Sequence, residues 1–135
     1  MKLTLRLAAI YNILWGFWVV LFPQHFFSIA VMEPINYPVV WQGMGMVIGV
    51  YGLGYFWASY DPIRHWPIVA VGFLGKVFGP IGFLYHLYLG NLPITFGWTL
   101  IFNDLIWWVP FFLILKRVYI HYRWSLPAYF FLKMK

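Results

Sequence analysis

The chain has 135 residues, 64% of them hydrophobic and only 9% charged, where ordinary soluble domains carry roughly 25% charged residues. It contains no cysteine, which excludes disulfides, thiolate metal sites, iron–sulfur ligation and thiol redox chemistry. The charges are absent from long apolar stretches that approach the ~20 residues needed to cross a bilayer. An integral membrane protein is therefore expected, with residues 1–135 forming one domain.

The first apolar run, within "MKLTLRLAAIYNILWGFWVVLFP", predicts a span over residues 5–22 that ends at Pro23. It is longer than the ~7–15-residue core of a signal peptide, and no small-residue cleavage site follows at once, so it reads as a retained span. The next stretch, "PQHFFSIAVMEPINYP", mixes apolar and polar residues and is too short to cross. It is expected to lie on the outer surface as an interfacial helix or cap. A second span is predicted over residues 39–60, ending at the turn "DPIRHWP", and a third over 68–89, ending at "GNLP". The fourth, over 96–115, runs into a tail at residues 116–135 that alternates bases with aromatics. That tail reads as an interfacial segment against anionic lipid. It lacks the continuous basic face of a nucleic-acid site, so no nucleic-acid partner is expected. The fold class is all-α: a membrane four-helix bundle.

Orientation follows from Lys and Arg. Lys2 and Arg6 open the first span, Arg64 lies in the second connection, and Lys116, Arg117, Arg123, Lys133 and Lys135 follow the fourth. The first and third connections carry no base. By the positive-inside rule both termini are cytoplasmic.

The ninth base, Lys76, breaks this pattern. It lies in "FLGKVFGPIGF", about 12 Å into the third span at 1.5 Å per residue. Asp104 lies about 16 Å from the same side in the fourth. A lone Lys or Asp at a helix centre costs ~2.5–3.5 kcal/mol on insertion scales, so the two are expected to pair or to reach water. This pair is either a structural tie between helices or a functional polar centre. Pro80, four residues after Lys76, removes the N–H that the Lys76 carbonyl would use, and a kink there would open a cavity or water site.

On helical wheels Gly72, Gly75, Gly79 and Gly82 share a face with Lys76 at its edge and His86 further out. Gly45, Gly49 and Gly52 share a face with Gln42, and Asn12 shares one with Ala8, Ala9 and Gly16. Asp104 aligns with Gly97, Trp107, Trp108 and Phe111. Close helix packing explains the glycines taken alone. Convergent polar groups on those faces make Lys76, Asp104, Asn103, Trp107, Trp108, Asn12, Gln42 and His86 the candidate ligand-binding residues. His25, Glu33, Gln42 and His86 lie near the outer side without metal-site spacing, and interfacial hydrogen bonding explains them better than a metal. Asp61, Arg64 and His65 read as a capped turn.

The first span "RLAAIYNILWGFWVVLFP", the Gly-rich second span leading to "ASYDPIRHWP", and "LGKVFGPIGF" resemble small four-helix bacterial membrane proteins of the broad DoxX-like kind. The likeness is one of organisation over about residues 3–115. It implies a bacterial cytoplasmic membrane and, for some such proteins, association with quinone-linked oxidoreductases as small membrane subunits. It carries over no functional residue.

Three functions compete. In the first, the chain is a non-catalytic accessory subunit or a module binding a lipid or quinone, with a membrane-protein partner or a second copy. Lys76 would then donate to the ligand, Asp104 would hold the ammonium, and Trp107 and Trp108 would form an apolar wall. The second is a membrane enzyme acting on an isoprenoid, sterol-like or acyl substrate, with Asp104, Lys76 or His86 moving protons. The third is a proton or ion pathway through Asn12, Lys76, Asp104, Gln42 and His86.

Overall fold

A computed structural model describes residues 1–132, with side chains through Arg123. The described residues are helical, with no strand among them. Helix α1 covers Lys2–Leu21, α2 His25–Ile29, α3 Pro38–Ala58 and α4 Trp66–Tyr88. The fourth long segment is composite: a 3-10 turn at Ile94–Gly97, a short α5 at Trp98–Leu100, a π-helical turn at Ile101–Leu105, then α6 at Ile106–Leu132. Four helical segments, α1, α3, α4 and the composite run Ile94–Arg123, are long and apolar enough to cross a membrane. The predicted spans match these to within a few residues at most ends. The exception is the tail after Leu115, where the chain does not break but continues as one helix through Leu132.

Side chains are arranged for an apolar solvent. Leu14, Phe17, Val47, Leu74, Phe78, Leu84, Phe112 and many other large apolar residues point outward. The core between helices is small. Leu5, Ala8, Ala9, Tyr55, Val69, Phe111 and Ile114 pack in one cluster, and Trp15, Val19, Phe26 and Phe27 in a second. Lipid tails are as apolar as leucine, so close packing and hydrogen bonds have to hold such helices together.

The closest packing is between α1 and α3. A Cβ on Gly16 would stand 2.6 Å from the Gly45 carbonyl oxygen, and one on Gly52 would stand 2.9 Å from that of Ala9. The glycines of α3 thus let its backbone meet α1 directly. On α4 the glycines do something else. A Cβ on Gly72 would collide with the Tyr55 ring, and one on Gly79 would stand 3.0 Å from Asp104 Oδ2, while Gly75 and Gly82 face open space. The expected common glycine face of α4 is therefore two recesses for side chains and two open positions.

Turns close as their residues dictate. Gly90 follows α4 with φ +73, and Asn91 N–H donates to His86 O at 2.9 Å while Gly90 N–H donates to Leu87 O at 3.1 Å. This is a Schellman ending, which needs the left-handed residue that glycine supplies. Helix α2 ends in the same bond pattern, Met32 N–H to Phe27 O and Val31 N–H to Ser28 O. There the left-handed position, φ 56, is held by Val31. In "DPIRHWP" the Arg64 N–H donates to Asp61 Oδ1 at 3.1 Å, the capped turn expected of that stretch.

The stretch after α1 folds over the bundle end as a cap. Gln24 braces it, donating to Ile35 O and accepting from Ile35 N–H. Thr95 Oγ1 donates to Ala30 O at 2.7 Å and ties the cap to the start of the fourth segment. Phe26 is fully buried, with ring centroids 5.0 Å from Trp41, 5.2 Å from Phe96 and 5.7 Å from Trp98.

Candidate functional site

The polar centre is built where two helices depart from regular geometry. Pro80 sits inside α4 and has no N–H for the Lys76 carbonyl. Trp108 supplies the missing donor, its Nε1 reaching Lys76 O at 2.9 Å. The freed carbonyl is thus taken by an indole.

Opposite Lys76, the fourth segment widens into the π turn at Ile101–Leu105, which lengthens the backbone reach and releases carbonyls. Trp107 Nε1 donates to Phe102 O at 3.0 Å, and Lys76 Nζ donates to Asn103 O at 2.5 Å. The ammonium also lies 5.8 Å from the Trp107 ring centroid, within cation–π range. Tyr11 backs Trp107 at a centroid distance of 5.9 Å.

Lys76 and Asp104 are both buried in this centre. The ammonium goes to the Asn103 carbonyl, and among the described residues no ion pair within 4.0 Å joins it to the carboxylate. Asp104 sits behind Gly79, in the recess left by the absent Cβ.

The remaining candidates scatter. Gln42 Nε2 donates to Val20 O at 2.8 Å, meeting a carbonyl left open at the end of α1. Asn12 is buried within α1, its Oδ1 without a hydrogen-bond partner. His86 Nδ1 contacts Asn91 Nδ2 at 3.2 Å near the α4 ending. No group of three or more His, Cys, Asp or Glu that could hold a metal occurs among the described residues.

Asn103 and His86 also line a cavity of about 320 Å³. The α3 side supplies Trp41, Met44 and Ile48, and the α4 side Gly79, Gly82 and Phe83. Trp15 and Phe26 close it from α1 and the cap. Its volume lies at the lower end of the usual range for ligand pockets, about 300–1,000 Å³. Two buried polar atoms of its lining residues have no partner in the protein, Asn103 Oδ1 and Trp41 Nε1. Lys76, Asp104, Trp107 and Trp108 are not among the lining residues. Lys76 holds the main chain of Asn103, and Trp107 that of Phe102 beside it.

Trp15, Phe26 and Trp41 escaped the sequence reading as site residues. Their signal was aromatic rings at similar depth on three consecutive segments. Comparison with protein-family models, with curated proteins and with solved structures finds no match to this chain.

Proposed function

We propose that this protein is a non-catalytic membrane module that holds a lipophile, a lipid or a quinone, in the cavity between α3 and α4, as a carrier or as an accessory subunit of a larger membrane complex. The observation that carries the reading is the cavity itself. It has aromatic walls at Trp15, Phe26, Trp41 and Phe83, with Asn103, Thr99 and His86 as its few polar lining residues.

The Lys/Arg distribution supports cytoplasmic termini, with the cavity then in the outer half of the membrane. The organisation shared with DoxX-like proteins supports a bacterial cytoplasmic membrane. Acid–base catalysis fits less well, because His86 and Asp104 do not converge. His86 is engaged with Asn91 and lies two helical turns along α4 from Gly79, behind which Asp104 sits.

Native mass spectrometry of the chain purified gently from its own membrane tests the proposal. A small apolar species is expected to remain bound in stoichiometric amount. It should be lost in Gly82→Leu, which points a side chain into open space at the cavity wall. Equal retention by that variant, or no bound species, would refute the reading.

A further inference from the structure

Resting on that cavity reading, we infer that the cavity is a side pocket of the bilayer. Its mouth opens between α3 and α4 within the membrane, and its occupant is the hydrocarbon chain of a bilayer lipid, which enters sideways rather than from water. The lining residues sort by exposure into a floor and a rim. Trp15, Phe26, Phe83 and Thr99 are buried and form the floor. Met44 on α3 and Gly79, Gly82 and His86 on α4 line the same space yet are exposed, Met44 by 47%. Exposed residues that also line a cavity mark where it opens.

Depth places that opening. Met44 lies six residues from the Pro38 start of α3, and Gly82 six residues from the Tyr88 end of α4. At 1.5 Å per residue both are about 9 Å inside the same end of the bundle, on helices long and apolar enough to span a membrane. Towards the other end the two helices meet: the Tyr55 ring fills the recess at Gly72, and a Cβ on Gly54 would stand 3.2 Å from Ile68 Cγ2. A Cβ on Gly82 would meet nothing within 4 Å.

The water side of the open end is covered. The cap lies across it, held by the Gln24–Ile35 and Thr95–Ala30 bonds, with Phe26 buried beneath. Beside the mouth the surface faces lipid, with Val47 on α3 and Phe78 and Ile81 on α4 pointing outward. The cavity therefore continues the lipid-facing surface, and what borders its mouth is acyl chain. Its lining suits one. No Lys, Arg, Asp or Glu is present to meet a charged group, and the Thr99 hydroxyl is spent on Phe96 O at 2.8 Å. The one ionisable lining residue, His86, contacts Asn91 through Nδ1 and sits two residues from the end of α4, on the side where a lipid keeps its head group.

The probe is phosphatidylcholine carrying a diazirine on one acyl chain, mixed into phosphatidylcholine vesicles that hold the full chain. Labelled residues are located by mass spectrometry after illumination. Label is expected on the floor at Trp15 and Phe83 and on lipid-facing Phe78, but not on Tyr55 or Phe111, which are buried away from the cavity. A charged, water-soluble diazirine should mark the exposed Val31 of the cap and leave the floor clean. In Gly82→Leu the floor label should be lost while that on Phe78 stays, which also shows the variant to be inserted. Floor label from the aqueous reagent, or none from the lipid, in the unsubstituted chain overturns the inference. Neither result removes the cavity reading, which falls only if native mass spectrometry finds no bound species.

Discussion

The bond from Trp108 Nε1 to the Lys76 carbonyl exists because Pro80 has no N–H, and that dependence can be measured. Trp108→Phe keeps a flat ring but deletes the donor, stranding an acceptor on the backbone of a residue that is only 6% exposed. Such a buried unpaired group costs about 1–3 kcal/mol, and the smaller ring adds less than about 1.5 kcal/mol of packing loss. In a Pro80→Ala background the regular helical N–H returns to the Lys76 carbonyl, so Trp108→Phe should lose only its packing part. The coupling between the two sites is then about 1–2 kcal/mol, well above the additivity error of distant positions. The assay is a double-mutant cycle on equilibrium unfolding of the protein in detergent or bicelles. An equal cost of Trp108→Phe in both backgrounds would refute the reasoning.

Lys76→Met should destabilise the protein in the same assay by about 1–3 kcal/mol, since it strands the Asn103 carbonyl that the ammonium satisfies. Adding Asp104→Asn should leave most of that loss in place, and a double variant as stable as the unsubstituted chain would show that the two charges are coupled after all. Gly16→Ala drives a Cβ to 2.6 Å from a backbone oxygen and should cost about 1–3 kcal/mol. Gly43→Ala, where nothing lies within 4 Å, should be neutral or stabilise by up to about 1 kcal/mol. Replacing Val31 by glycine removes a left-handed penalty of ~1–2 kcal/mol and adds ~0.5–1 kcal/mol of chain entropy. A higher unfolding midpoint is the expected readout. Because the chain has no cysteine, single Cys variants at Ser28 and Lys116 report orientation directly. An impermeant maleimide applied to intact cells should label the first and spare the second.

Helix count, most helix ends and the cap were readable because they rest on local rules (apolar length, Pro and Gly breakers, turn residues); the end of the fourth helix, which runs on past Leu115, was not. The release of the Lys76 carbonyl by Pro80 was readable for the same reason. What took that carbonyl was not, since Trp108 is 32 residues away in sequence. The π turn was hidden too, and it explains why a regular wheel fails on the fourth segment. Its buried positions Thr99, Asp104, Trp107, Phe111, Ile114 and Val118 step by five and then by three or four. The step of five spans the π turn, where the extra residue shifts every later side chain. A wheel at a constant angle cannot register that shift, although Gly97 and Asp104 both come against α4, at Phe83 and Gly79. The glycines of α3 and α4 looked alike in sequence, yet one set meets backbone and the other makes room for Tyr55 and Asp104. Spacing alone does not say which neighbour arrives.

A membrane interior offers no water to open backbone groups, so each break in a helix has to be matched by a side chain. Here Pro80 opens one carbonyl and the π turn involves two more, at Phe102 and Asn103; their partners are Trp108, Trp107 and Lys76. Lys76 serves twice, giving its ammonium to the fourth segment and taking an indole proton from it. The ionisable residue that stood out in the sequence is thus spent on the scaffold. Asn103, whose main chain Lys76 holds, is at the same time a residue of the cavity wall. The polar donors of the centre are thus committed to the backbone, and they position the wall that a ligand would meet. Function in this bundle is therefore to be sought first at the cavity and its aromatic walls, with Lys76 as the support that keeps Asn103 in place.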